Sequence, residues 1–266
     1  MIERGLSIVR PVRLIAWSVL IEAVRRKEIY AIVLISCLII AGIMSIDFFG
    51  LRGLSKFYCE MSLSVMSIAT ALTTIVLAAR QLPREFEART IYPLLAKPIS
   101  RATFMVGKLV GVMLAAAFCF LLFMVIYVGG AIYMGSHLSV GLLAQYVYLQ
   151  MLALLILATL GFWLSLWLNL DAAVTIGAIL YFTASIIMTS ISYIYDYAGK
   201  AGKMVLLAVT YLLPQLRLLD LSEKVVHSDV WQPLRPSIIL VLTLYASFYA
   251  VVYFALAYLF FRRKPL

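Results

Sequence analysis

The chain has 266 residues, 65% of them hydrophobic and 13% charged, with a mean hydropathy of +1.05 and a net charge of +10. A soluble domain holds roughly 45–50% apolar and about 25% charged residues, so this composition excludes an ordinary water-soluble globule. The apolar residues come in blocks near the length of about 20 that crosses a bilayer as a helix, and the alternating segments of about ten residues that mark a membrane β-barrel are missing.

In chain order, residues 7–27 come first. On a helical wheel Ser18, Glu22, Arg25 and Arg26 gather on one side. Leu14, Trp17, Leu20, Ile21 and Val24 gather on the other, with Ile15 out of place and Pro11 suited to a helix start. Such an Arg-rich amphipathic helix with a Trp is expected to lie along the membrane surface; a solvated basic leader is the competing reading. No small-residue cleavage site follows, so no cleavable signal is expected.

Six spans are then expected, at about Ile29–Ile46, Met61–Ala79, Phe104–Ala131, Leu142–Leu168, Ala172–Tyr195 and Ser237–Phe261. Backbone groups in lipid are satisfied within a helix, so the fold class is an all-α polytopic membrane protein, a single transmembrane domain over residues 1–266. Between spans two and three runs a polar stretch, QLPREFEARTIYPLLAKPISR, residues 81–101. Pro83 is tolerated in a first helical turn, and Glu85 and Glu87 near that end favour the helix dipole. Phe86, Ile91, Tyr92, Leu94 and Leu95 interleave with the charges, which a merely solvated connection does not need. Ser100 is placed to cap the third span.

Gly107, Gly111 and Ala115 form a small-residue ladder at the start of span three, a pattern that lets helices approach closely. Ser67, Thr70, Ala71 and Thr74 make a similar face on span two. Gln145 and Gln150 are expected to hydrogen-bond between helices, with contact to substrate the competing reading, and Asp171 to N-cap the fifth span. Residues 196–236 form an outer loop. Its apolar part, Met204–Leu213, is too short to span and fits a short re-entrant or interfacial helix after span five.

Lys and Arg set the orientation. Arg4, Arg10, Arg13, Arg25, Arg26 and Lys27 lie on one side, with the group from Arg80 to Lys108 and the tail Arg262, Arg263 and Lys264. The other side has a sparser set, from Arg52 to Arg235. The positive-inside rule puts both termini in the cytoplasm. The basic excess is then a topology signal that also attracts anionic membrane lipids, and no nucleic-acid partner is expected, since no basic patch is interleaved with exposed aromatics.

Several activities are excluded by what the spans lack. Ion-coupled transporters keep ionisable residues within the membrane, and no span centre here carries one. His137 and His227 fall in outer loops. Gly107-Lys108, Gly199-Lys200 and Gly202-Lys203 are not followed by Ser or Thr, so the phosphate-cradling GxxxxGK[ST] loop is missing. Three cysteines without paired spacing argue against a disulfide framework or a metal site. The chain is therefore expected to be no enzyme and to hold no cofactor or metal. Its drive must come from outside, and the 81–101 stretch is where that work is expected to enter.

The run REFEARTIYPLLAKPISRATFMVGKLVG resembles the inner loop and third span of ABC type-2 transporter permeases. The matching positions are Glu85 and Glu87, Arg89-Thr90, Leu94-Leu95, Pro98-Ile99-Ser100-Arg101 and Gly107-Lys108, with Arg89 where glycine is common. The N-terminal helix resembles the elbow helix of these permeases, and MVLLAVTYLLPQLRLLDL their segment after span five. The likeness is to single-domain permeases such as the one serving nitrous-oxide-reductase maturation.

The resemblance implies a permease subunit, an exporter, in the inner membrane of a prokaryote. It would pair with a second copy or a similar permease and bind two separate cytoplasmic ATPase subunits, which carry the ATP and Mg. It implies that Arg84, Glu85, Phe86, Glu87 and Arg89 of the coupling loop, and Glu22, Arg25 and Arg26 of the elbow helix, meet the ATPase. Gly107, Gly111 and Ala115 are assigned to helix packing, and the substrate site stays unassigned. The alternative is a non-transporting membrane scaffold or assembly subunit.

Overall fold

The protein is described by a computed structural model that covers residues 2–45, 54–87, 100–197, 199, 202–204 and 213–263. Within the helices the side chains of residues 2–9, 28–29, 44–45, 54, 84–87 and 185–197 lie outside that description. Among the described residues every regular element is helical: α1 (Ile2–Val24), α2 (Lys27–Ser45), α3 (Leu54–Glu87), α4 (Arg101–Tyr133), α5 (Val140–Trp167), α6 (Leu170–Tyr197), a 3-10 turn (Leu216–Leu219), α7 (Ser222–Val226) and α8 (Pro236–Arg263).

Among the described residues four helices are long and apolar enough to cross a membrane: Ser55–Pro83, Arg101–Tyr133, Val140–Trp167 and Pro236–Arg263. Shorter apolar stretches run along α2, at Tyr30–Ile43, and α6, at Leu170–Ala184. The bundle is built around α3 and α5. The apolar stretch of α5 is 78% buried inside the bundle and that of α8 only 17%, so α5 is the axis and α8 is peripheral. α3 touches α2, α4, α5 and α6, while α8 packs mainly on α5.

In lipid no hydrophobic force draws helices together, so close approach and shape fit decide the contacts. The centre shows how. A Cβ on Gly161 of α5 would lie 2.8 Å from the Ala78 Cβ of α3, and one on Gly177 of α6 would lie 2.7 Å from the Ile75 Cγ2. Either side chain would push its helix away from α3. Thr70, Thr73 and Thr74 are buried there and turn their hydroxyls back onto the carbonyls of Met66, Ala69 and Thr70, at 2.7–2.8 Å. Their polar atoms are thus satisfied within α3 and leave a smooth packing face.

The helix ends follow local chemistry. Ser100 caps α4, its Oγ accepting from the Thr103 amide at 3.1 Å. At the other end Gly135 takes a φ of 67°, and the Gly135 and Ser136 amides donate to the Ile132 and Ala131 carbonyls. This is a Schellman ending, which requires a residue at ease in the left-handed region.

Three expectations need correction. Pro11 lies inside α1, which starts at Ile2. Pro83 does not open a new helix; α3 runs through it to Glu87. Proline removes one hydrogen bond and strains the turn before it, but that turn is held by packing, with Leu82 fully buried and Gln81 bonded to Lys108. Asp171 is not the N-cap of α6 but a member of its first turn. Asn169 precedes the helix and its carbonyl accepts from Ala173 at 2.9 Å, leaving Asp171 to favour the helix dipole.

Candidate coupling surface at the arginine-rich end

The C-terminal ends of α1, α3 and α8 and the N-terminal ends of α4 and α6 share one end of the bundle. α1 reaches it by lying along α4. Ile15, Ala16, Val19 and Ala23 are buried, while Leu14 and Trp17 are 71% and 60% exposed and Ile21 and Val24 are also outward. Ile15, out of place on the amphipathic wheel, belongs to the buried stripe. A Cβ on Gly107 would stand 3.0 Å from the Ile15 Cβ, and one on Gly111 would stand 2.6 Å from the Val19 Cβ and 3.0 Å from the Ala16 carbonyl. Ala115 is buried in the same cluster, so the ladder faces α1. The outward stripe of α1 is the one suited to lipid.

Polar contacts then tie the remaining ends together. Lys108 of α4 is 5% exposed and donates to the Gln81 Oε1 of α3 at 3.1 Å, its ammonium 5.7 Å from the centre of the Phe104 ring. A buried ammonium needs such partners, because desolvation otherwise penalises it heavily. Arg101 donates to the carbonyls of Arg262 at 2.8 Å and Phe261 at 3.4 Å, placing a cation on the last turn of α8, where the dipole favours it. Phe104 and Phe261 stack beneath, with ring centres 6.1 Å apart.

Between α1, α3 and α6 these elements leave an open cleft of about 660 Å³. Glu22 of α1 and Arg25 and Arg26 just after it face Arg80 and Pro83 of α3 across it. Glu22 and Arg26 form an i,i+4 ion pair at 2.5 Å. The lining holds three guanidinium groups and one carboxylate, and so favours acidic groups from outside. Of the sequence-assigned contact residues, Glu22, Arg25 and Arg26 therefore come together on one wall. Arg84, Glu85, Phe86 and Glu87 continue α3 directly beyond Pro83, with side chains outside the description, and Arg89 lies wholly outside the described residues. Arg80 and Lys108 were not singled out for this surface. Their positions at inner span ends were the only signal, and the cleft itself is a tertiary feature.

At the opposite end Lys56 and Asp229 pair at 2.8 Å, and Ser228 donates to the His137 carbonyl at 2.7 Å. Gln145 uses both ends of its amide on the backbone of Leu234, at 2.8 and 3.0 Å, anchoring the entry to α8. Gln150 donates to Ser67 at 3.2 Å, joining α5 to α3. The described cysteines, Cys37, Cys59 and Cys119, are free thiols. Of the outer re-entrant segment only Met204 and Leu213 fall among the described residues, and the rest of that expectation lies outside them.

No curated protein matches the chain. A family model described as ABC-2 family transporter protein matches residues 13–266, which takes in the second half of α1, the whole 81–101 stretch and every later helix. The chain belongs to the ABC-2 family of transporter proteins.

Proposed function

We propose that the chain is the membrane permease of an ATP-driven transporter, an exporter, moved by separate cytoplasmic ATPase subunits that bind the arginine-rich end. In this reading α2 and α6 join the four longer helices to make six spans, α1 is the interfacial elbow, and both termini are cytoplasmic by the positive-inside rule. A second copy, or a similar subunit, completes the pathway, in the inner membrane of a prokaryote.

The observation that carries this reading is the cleft between α1 and the end of α3. A helix that continues past the bundle into Arg84–Glu87 beside an arginine-lined cleft gives a partner two elements to grip. α3 also touches α2, α4, α5 and α6. A push on its end is therefore passed to α2, α4, α5 and α6 through packed contacts rather than through a loop. Family membership supports ATPase partners in general, and the lack of an ionisable residue at any span centre expected from the sequence supports an external drive.

The test is the pair Glu85→Ala and Glu87→Ala in the assembled complex. Substrate-stimulated ATP turnover should fall while the basal rate of the ATPase remains. Unchanged stimulation would remove this segment from the coupling path.

A further inference from the structure

A second cavity, of about 250 Å³, lies inside the bundle away from the arginine-rich end. Ser67 of α3, Gln150 of α5, Tyr181 of α6 and Arg217 and Asp220 of the 3-10 turn line it, over an apolar floor that includes Leu157. Gln150 is ten residues from the start of α5, about 15 Å along the helix at 1.5 Å per residue. The turn thus carries two opposite charges to the rim of a site well inside the bundle.

Arg217 lies within the 3-10 turn and Asp220 caps its end, the Asp220 amide donating to the Arg217 carbonyl at 3.2 Å, and both residues line the same cavity. Asp220 Oδ1 accepts from the Ser222 amide at 2.9 Å, so one carboxylate oxygen is structural and the other is left for the cavity. Both side chains are exposed while lining the cavity, which lets a solute reach them. One turn from Gln150 on the same face of α5, the fully buried Tyr146 hydroxyl has no hydrogen-bond partner among the described residues.

We propose that this cavity binds a zwitterionic group: a phosphate or carboxylate on Arg217, and an ammonium against Asp220 and the Tyr181 ring. A guanidinium matches the fork of an anionic oxygen pair, and an ammonium is drawn to both a carboxylate and an aromatic face. A lone anion would be opposed by Asp220 and a lone cation by Arg217, so a ligand carrying both charges fits best. At about 30 Å³ per water the space equals about eight waters. It holds a small head group and is below the roughly 300–1,000 Å³ of sites for larger ligands. The ligand is therefore either a free small zwitterion or a lipid head group whose chains stay outside.

Binding here needs neither ATP nor a partner ATPase, so it stands or falls apart from the transport reading. The test is calorimetric titration of the full chain in phosphatidylglycerol nanodiscs, with phosphoethanolamine and with dihexanoyl phosphatidylethanolamine. Inorganic phosphate and ethanolamine serve as half-ligands. At least one zwitterionic probe should bind saturably and at least tenfold more tightly than either half. Arg217→Gln and Asp220→Asn should each weaken it about tenfold or more. Asp220→Asn keeps the Oδ1 cap on Ser222 and removes only the charge, so its loss is not a folding effect. Equal binding of both probes assigns the site to a free zwitterion, and binding of the lipid alone assigns it to a membrane head group. A zwitterion that binds no better than its halves, or one whose affinity survives both substitutions, overturns the proposal.

Discussion

Gly111→Ala tests whether α1 is seated on α4. The new Cβ would lie 2.6 Å from the Val19 Cβ, 2.9 Å from its Cγ1 and 3.0 Å from the Ala16 carbonyl. Ordinary carbon contacts sit at about 3.5–4.0 Å, and one obstacle is backbone, so α1 itself has to move. Overpacking of this kind costs about 1–3 kcal/mol. Replacing glycine by alanine in a helix gains about 1 kcal/mol, which blurs the single measurement. Gly129 on the same helix removes that blur, because a Cβ there meets nothing within 4 Å. Gly129→Ala should therefore be neutral or slightly stabilising, and the difference between the two variants isolates the clash, about 1–3 kcal/mol. At roughly 2–4 °C per kcal/mol for a chain of this size, scanning fluorimetry of the purified protein should separate them by several degrees. Gly107→Ala should fall between, since its obstacle is the Ile15 side chain. Equal midpoints for Gly111→Ala and Gly129→Ala would refute the seating of α1.

Lys108→Met keeps the unbranched stem, one atom shorter, but leaves the buried Gln81 carbonyl without this donor; it should cost about 1–3 kcal/mol, read in the same assay. Gln145→Leu removes both bonds to Leu234 and should speed proteolysis of the segment before α8, with little change in the rest of the cleavage pattern. At the opposite end the hydrogen bond from Lys56 holds the Asp229 carboxyl below the usual carboxylate range. A depressed folded-state value means that the pair's contribution is present above the unfolded value and is lost as pH falls through the folded one. The small stability difference between wild type and Asp229→Asn should therefore be seen at pH 7 and close below about pH 4.

The helical class, the position of the long apolar segments and the Ser100 cap were legible because each depends on neighbouring residues and on length. The four-residue spacing of Gly107, Gly111 and Ala115 was legible too, but what faces it was not. A helical wheel divides α1 into polar and apolar faces, whereas α1 has three environments, with Ile15 and Val19 against α4, Leu14 and Trp17 outward, and Ser18 and Glu22 in the cleft. Pro11 and Pro83 read as helix starts because local chemistry penalises them inside a helix. Packing of the adjoining turn overrides that penalty at Pro83. The cleft and the buried Lys108–Gln81 contact join residues from separate helices, and nothing in either segment alone announces its partner.

The most direct measurement for the central claim is native purification of the chain from its own membranes, followed by identification of what stays bound. The account predicts an ATPase subunit retained by the wild-type chain and recovered in smaller amount with Glu85→Ala and Glu87→Ala combined, the complexes that still form being the ones that lose substrate stimulation. A folded chain that purifies without any ATPase, or one that keeps its ATPase equally well after both substitutions, would contradict it.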